Sequence, residues 1–503
     1  MAKIIRNPVK AAERKYDLII VGGGIYGVML CLEASRRNLH SLLLEKCDFG
    51  EHTSFNSLRI LHGGLRYLQT LDLHRFRESV GERRWFLQTF PDLVKPLPCL
   101  MPLYANGLRR PLVLQAALWA NHTLSRRRNI GVRSDRHLPP GQVIDAEDTW
   151  EIFRYVNSQG LRGGAIWYDA SMPDSQRLLI EVLRWACELG ATALNYVEAC
   201  HLMKSKGRVI GVIGVDRETC EAYEFMADIV VNACGPWCRD VATRFGHNEP
   251  SLFKPSLAWN VLLNREALSE YAVAVAPKKR KPPITYFLIP WKGRLVAGTG
   301  HVPFLGNIEK PMPSAEELRE FLNDINLAVP CLDLSMDDIL YVFSGLLPVN
   351  EEASTNLRSR EVIVDHSVRG GSRGFYSISG VKFTTARLVA EKALNQIYPE
   401  RRAPMYSVRT LSTAHPVVQW SRGIFAANCL SLANKSRWQD ALRTLVVEEA
   451  VQHLDDLIFR RTNLWEHPEI VQEIEPLISN LLDWDRSRCF EEIKRVTSKF
   501  QFT

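Results

Sequence analysis

An apolar run that breaks into a glycine-rich turn, a strand-rich middle and a helical tail predict an α/β protein, α+β overall. The expected architecture is a Rossmann-like domain, an inserted strand-rich domain and a C-terminal helical domain. At ~100–200 residues per domain, 503 residues accommodate two to four compact units. A hydrophobic content of 46% and a charged content of 24% fit a globular protein with a large core. The mean hydropathy is slightly negative, which argues against a polytopic membrane protein.

Residues 16–21 (YDLIIV) form a short apolar run, consistent with a buried parallel strand. The run enters Gly22-Gly23-Gly24-Ile25-Tyr26-Gly27, which fits G-x-G-x-x-G. An apolar helix (VMLCLEASRR) follows, then a second strand (SLLLEK) containing Glu45 at the distance expected for an acid on an adenosine ribose. Each glycine has a separate duty. Gly22 permits the tight turn, Gly24 lets the backbone approach a pyrophosphate, and Gly27 allows close helix–strand packing. The helix N-terminus offers unpaired N–H groups to phosphates. This unit alone specifies a dinucleotide without choosing between FAD and NAD.

Further along, residues 71–90 read as helix, and 96–141 as a Pro- and Arg-rich stretch with a helical core. Residues 174–190 open on an acidic cap and end at a glycine, as a helix does. Three strands are expected within 191–202, 208–216 and 221–235, the first two joined by a turn at Lys206-Gly207. Residues 256–304 are strand-rich, most clearly at 284–290 and 294–298. A Pro/Arg-rich linker is expected at 398–410, followed by helices. There Val447, Ala450, Val451, Leu454, Leu457 and Ile458 form one apolar stripe at helical spacing.

The net charge of +7 is too mild to imply nucleic-acid binding. Basic clusters at 109–110, 126–128 and 278–281 read as solvated loop faces or as contacts for acidic headgroups. Eleven scattered cysteines without a C-x-x-C pair suggest buried thiols in a reducing cytoplasm, with no disulfide framework and no metal site. The N-terminus lacks the apolar core of a signal peptide. Residues 111–124 (PLVLQAALWANHTL) are too few to span a bilayer, though long enough to lie on the inner face of one.

Three later segments resemble a known family. Residues 53–68 (TSFNSLRILHGGLRYL), 230–237 (VVNACGPW) and 374–387 (GFYSISGVKFTTAR) are similar, in order, to motifs of FAD-dependent sn-glycerol-3-phosphate dehydrogenases and oxidases of the D-amino-acid-oxidase superfamily. Residues 448–464 resemble that family's helical cap. The resemblance implies non-covalently bound FAD in a core spanning residues 1–400. FAD-binding segments would fall near 15–85, 150–250 and 340–400, and substrate-domain segments near 86–149 and 251–339. A helical domain would cover 401–503. It also implies a small polar, anionic substrate and a quinone, oxygen or another electron acceptor, with peripheral membrane docking as a family trait.

By the same resemblance, His62, Arg66 and Lys382 would carry the chemistry. They would act as general base, anion binder and stabiliser of reduced flavin. Thr53, Ser54 and Ser57 would face the FAD phosphates. Val197, Gly235, Gly380, Phe383 and Thr384 would complete the cofactor site, and Tyr67 would join Arg66 at the substrate. Taken singly, His62 also reads as a turn residue, Arg66 as an ion-pair partner and Lys382 as a surface lysine.

Two positions depart from the family pattern. Leu347 stands where a Ser-Gly-x-Arg-Pro motif has its substrate arginine, and Gly298-Thr299-Gly300-His301 replaces Gly-Thr-Thr-Asp. Losing one charge-assisted contact costs on the order of 2–5 kcal/mol. His301 reads equally as a new pocket group and as a loop histidine. The expected activity is oxidation of a secondary alcohol by hydride transfer to flavin N5, with an altered phosphate site. An amine or amino-acid oxidase and a non-catalytic FAD-binding scaffold remain as alternatives.

Overall fold

Two large sheets organise the chain in the computed structural model, which describes residues 3–104, 110–277, 284–402, 435–466 and 471–500. In the first sheet, Phe375–Ser379, Ala222–Asn232, Lys15–Val21, Ser41–Leu44 and Thr192–Leu194 lie side by side and parallel. Leu18 and Ile20 face a core shared with helices Ile25–Ser35, Ser175–Glu188 and Ala386–Ile397. Ile19 and Val21 face the opposite core, with the hairpin Val197–Ser205/Arg208–Asp216 and helix Cys238–Arg244. Burial on both faces explains why residues 16–21 read as an unbroken apolar run rather than an alternation. The hairpin turns at Lys206 (φ 48°) and Gly207 (φ 75°), both left-handed, as a tight two-residue turn requires. The expected single strand over 191–202 is two strands. Tyr196, at φ 55°, sends the chain out of the parallel sheet and into the hairpin.

The second sheet runs Ile339–Pro348, Pro255–Glu266, Arg294–Pro303, Tyr286–Trp291, Ala272–Val275, Lys95–Tyr104, Leu161–Ser171 and Ile60–Leu61, with Gln142–Ile144 on Leu161–Ser171. Helix Ala315–Ala328, started by a Ser314/Glu317 capping box, covers one face. Strands Leu161–Ser171 and Ile339–Pro348, expected among the nucleotide-binding segments, pair in this sheet instead. Their apolar runs announce strands but not which sheet receives them. Lys95–Tyr104 is a strand that its prolines hid. Pro96, Pro98 and Pro102 share one parity, so all three missing N–H groups fall on one edge. On its sparser side only Ala272 and Val273 pair with this strand.

At the C-terminus lie helices Lys435–Glu448, Val471–Leu482 and Arg486–Ser498. The stripe from Val447 to Ile458 is not one helix. Ala450 adopts φ 51°, and a π-helical segment, Asp456–Arg461, follows. Val447 is exposed, whereas the other five residues are buried. They join Phe55, Trp291 and Phe343 in one core, apart from Ala450, so the tail packs on the second sheet rather than enclosing its own core. Residues 403–410 of the expected linker and the basic cluster at 278–281 lie outside the described residues, as does Arg109.

Buried charges fasten this tail. The Asp48 carboxylate accepts from Arg461 at 2.7 and 2.8 Å and from Arg460 at 2.5 Å. Burial alone pushes its acidity down, but Arg461 and Arg460 outweigh burial and hold its pKa below the usual carboxylate range. Glu449 accepts from Arg177 and Arg184 at 2.7 Å. Breaking a buried pair costs about 3–5 kcal/mol because a charge is left uncompensated. Asp48→Asn is therefore expected to lower the unfolding free energy, read from urea denaturation, by that amount. An unchanged midpoint would show that the arginines are satisfied without it.

Candidate functional site

The glycine-rich turn builds a cradle. Gly22 holds φ 106°, and a Cβ on Gly27 would sit 1.8 Å from the Gly22 carbonyl oxygen. The start of helix Ile25–Ser35 therefore lies directly on the end of strand Lys15–Val21. Gly24 caps the helix without a side chain, and the Ile25 amide donates instead to Ser54 Oγ at 3.0 Å. A Cβ on Gly24 would meet only that hydroxyl, at 3.2 Å, which leaves the backbone open to a ligand. Glu45 accepts from the Gly23 and Cys47 amides at 2.6 and 2.8 Å. Burial raises its pKa despite those bonds, and its remaining lone pairs are available to ribose hydroxyls.

A cavity of about 390 Å³ opens from this cradle. Gly22, Gly24, Glu45, Thr53, Ser54, Ser57, Val197, Gly235, Gly380, Phe383 and Thr384 line it, together with His62, Lys382 and Leu347. Gly27 packs beneath it. Arg66, Tyr67 and His301 are not among its lining residues. Arg66 is exposed on a short helix, Leu65–Gln69. Tyr67 lines a smaller pocket on the far side of Lys382. His301 is no loop residue but sits in strand Arg294–Pro303, its Nε2 2.8 Å from Ser256 Oγ. Burial lowers its pKa and favours the neutral ring.

At the other end of the cavity, His62 places Nδ1 3.2 Å from Asp169 Oδ2. Asp169 Oδ1 accepts from the Gly63 amide at 2.7 Å and from Arg83 at 2.8 Å. Burial pushes the Asp169 carboxyl up, yet the His62 bond and charge, with Arg83 and the Gly63 amide, hold it down to about 2. Lys382 is fixed by its backbone, whose carbonyl accepts from the Tyr26 phenol at 2.8 Å and whose amide donates back at 3.0 Å. Gly380 makes room for that phenol, because a Cβ there would lie 1.9 Å from Tyr26 Cζ. The Lys382 ammonium lies 4.3 Å above the Tyr67 ring. Burial and then Arg66 lower its pKa to about 8.

Several cavity-lining positions stand outside the residues the sequence picks out. Asn260 and Thr299 line the cavity from the second sheet, and Thr299 donates to Asn260 Oδ1 at 2.9 Å. Arg59 lines it from a cage of rings, 4.7 Å from Phe343 and 5.1 Å from Phe55 and Trp291. For Asp169 the one signal in the sequence is a lone charge within the mostly apolar run 165–172. Cys47, Glu51 and His52 bring ligand atoms within 4.8 Å of one another. Glu51 is already engaged by Lys499 at 2.8 Å, and burial pushes the Cys47 thiol to about 12, which makes a poor metal donor set.

The cavity fits FAD. Its wall carries backbone amides at a helix start, the Glu45 carboxylate just past the second parallel strand and hydroxyls at Thr53, Ser54 and Ser57. Glu51 Oε2, His52 Nε2 and Asn56 Oδ1 are buried there without a protein partner among the described residues. Such orphaned atoms call for a polar ligand.

The FAD dependent oxidoreductase family model matches residues 17–395. A glycerol-3-phosphate dehydrogenase of Synechocystis sp. is 30% identical over 429 residues, covering 82% of this chain and 75% of that protein. The mitochondrial glycerol-3-phosphate dehydrogenase of Schizosaccharomyces pombe is 28% identical over 410 residues, covering 76% of this chain and 61% of that protein. The glycerol-3-phosphate dehydrogenase of Bacillus halodurans, solved with FAD, shares the fold with a TM-score of 0.73 at 20% identity, covering 98% of this chain and 96% of that one.

The cradle makes a specific prediction. Gly24→Val places methyl groups where a pyrophosphate would approach, at a backbone conformation that any residue adopts (φ −71°). The variant should keep the circular dichroism of the parent yet bind FAD at least about tenfold more weakly by fluorescence titration, a loss of ~1.4 kcal/mol or more. Unchanged affinity would place the pyrophosphate elsewhere.

Proposed function

The chain belongs to the FAD-dependent oxidoreductase family and is of the glycerol-3-phosphate dehydrogenase type; on that premise we propose that it oxidises a secondary alcohol of a small polar substrate by hydride transfer to flavin N5, through an altered phosphate site. The observation that carries this reading is a single cavity lined by both the dinucleotide cradle and His62 and Lys382, with Asn260 and Thr299 on its wall.

FAD, when bound, supplies the two-electron acceptor. The protein's own residues supply the rest. His62 takes the hydroxyl proton as a neutral base. Lys382 places positive charge beside the cavity where negative charge accumulates. Its ammonium has no hydrogen-bonded carboxylate among the described residues, and Arg66 is close enough to depress its pKa. Two neighbouring cations of this kind favour an anionic group between them. The electrons then pass to a quinone, oxygen or another acceptor.

Leu347 supports the altered phosphate site. It lines the cavity from strand Ile339–Pro348, opposite Ser256, and carries no charge to meet a phosphate dianion. Anaerobic mixing with glycerol 3-phosphate, related polyol phosphates, hydroxy acids and amino acids, followed by loss of oxidised-flavin absorbance, tests the reading. Bleaching by a hydroxy compound supports it. Bleaching by amino acids alone, or by nothing in the panel, would overturn it. Leu347→Arg is expected to raise kcat/KM for glycerol 3-phosphate about tenfold or more, part of the ~2–5 kcal/mol such a contact carries. A variant no better than the parent would show that phosphate is bound elsewhere.

The reading extends to peripheral docking on an anionic bilayer. Helix Pro111–Leu124 buries only Leu114 and Leu118, while Leu112 is 84% and Trp119 is 70% exposed. Arg110, Arg126 and Arg127 are exposed beside it, whereas Arg128 is buried and bonds the Leu138 carbonyl. An apolar face flanked by arginines suits a headgroup boundary. No helix among the described residues is long and apolar enough to cross a membrane. Cosedimentation with anionic vesicles should exceed that with zwitterionic ones and should fall in a Leu112→Ser/Trp119→Ser variant. Equal sedimentation of parent and variant would remove this surface from consideration.

A further inference from the structure

Strand Ile60–Leu61 pairs antiparallel with Leu161–Ser171, Leu61 lying opposite Ala170. The next residues along each strand, His62 and Asp169, therefore face one another. Asp169 divides its two oxygens between separate tasks. Oδ1 is anchored by the Gly63 amide at 2.7 Å and by Arg83 Nη1 at 2.8 Å, and Arg83 Nη1 also bonds the Tyr168 carbonyl at 2.6 Å. Oδ2 is left to His62 Nδ1 at 3.2 Å. The anchor is tight, because a Cβ on Gly63 would lie 2.0 Å from Arg83 Nη1. Asp169 and Arg83 are buried, whereas the His62 side chain is half exposed and lines the cavity.

We propose that Asp169 is a positioning residue for His62: it accepts the Nδ1 proton, so the bare Nε2 faces the cavity and receives the proton of the substrate hydroxyl. This rests on the oxidation proposed above. In that step the O–H bond breaks and an Nε2–H bond forms. The C–H bond gives its electron pair to the flavin as hydride, and the carbon–oxygen double bond forms. Asp169 holds the tautomer and the ring plane. Because Arg83 shares its charge, its contribution is orientation more than added basicity. Arg83 and the Gly63 amide, both on Oδ1, help hold the carboxyl ionised, so Asp169 stays an acceptor throughout the neutral range.

Asp169→Asn tests the geometry directly. Its carbonyl oxygen must stay on the Gly63 and Arg83 side, where only donors are found. Its NH2 group then faces His62 Nδ1 and donates to it, which drives the ring proton to Nε2 and blocks the base. With the hydroxy substrate found in the bleaching screen, kcat is expected to fall about 10²–10⁴-fold with KM little changed. In a His62→Ala background the same substitution should cost less than about threefold, because the aspartate acts through that ring. An additive penalty in the double variant would overturn the proposal and leave the oxidation reading intact. A parent enzyme that no alcohol reduces would overturn both. Should Asp169→Asn fail to fold, ¹⁵N spectra of His62 in the flavin-loaded parent decide the matter. A protonated Nδ1 with a bare Nε2 is expected, and a protonated Nε2 would overturn the assignment.

Discussion

The contact between Gly27 and the Gly22 carbonyl governs much of the molecule. No side chain fits in that gap, so helix Ile25–Ser35 is laid directly on the end of strand Lys15–Val21. The helix axis then points its free amides into the cavity, and its flank becomes the seat for helices Ser175–Glu188 and Ala386–Ile397. The first of them carries the chain from the second sheet back to the first. The second of them follows immediately after Lys382 and Thr384, so the placement of the lysine derives from the same packing. Tyr26 makes the dependence explicit. It is the second residue of helix Ile25–Ser35, and its phenol grips the Lys382 backbone on both sides.

The second organising force is buried charge. Asp48, Asp455 and Glu449 are buried, and each is matched by arginine or lysine from a distant part of the chain. Ion pairs of this kind add little net stability over apolar packing, but they penalise mismatched arrangements heavily. Here they tie the tail to the loop at the edge of the cavity. His453 belongs to the same class. Although burial works against it, Glu218 and Glu492 raise its pKa to about 9, so at neutral pH it is a cation clamped between two acids. That stabilisation is present below the ordinary histidine range and fades as pH rises through about 9.

What the sequence disclosed follows from how far apart the determinants lie. The nucleotide-binding unit was legible because four constraints (strand, glycines, helix and terminal acid) fall within thirty residues. The cavity-lining serines and Lys382 were legible as ordered motifs. The stripe at 447–458 misled because spacing reports burial, and five of its six residues are indeed buried, but a left-handed turn at Ala450 breaks the helix without disturbing that burial. Strand Lys95–Tyr104 misled because three prolines ordinarily exclude a strand, and only the edge they share makes them harmless. His301 and Arg66, expected in the cavity by motif position, stand just behind the lining residues: His301 lies opposite Ala258 and bonds Ser256, and Arg66 is close enough to Lys382 to lower its pKa. Asp169 was out of reach because its pairing with His62 spans 107 residues.

Asp48 and Glu51 each serve two masters. Both line the cavity, and both hold the C-terminal segment, Asp48 through Arg460 and Arg461 and Glu51 through Lys499 of the last helix. Cavity and tail are therefore halves of one thermodynamic cycle. Any free energy the tail gains by docking onto a correctly shaped loop is free energy that a ligand no longer spends on shaping it, and the reverse holds to the same amount. Flavin affinity and tail docking are linked quantities, and whatever free energy one lends the other is returned in equal measure.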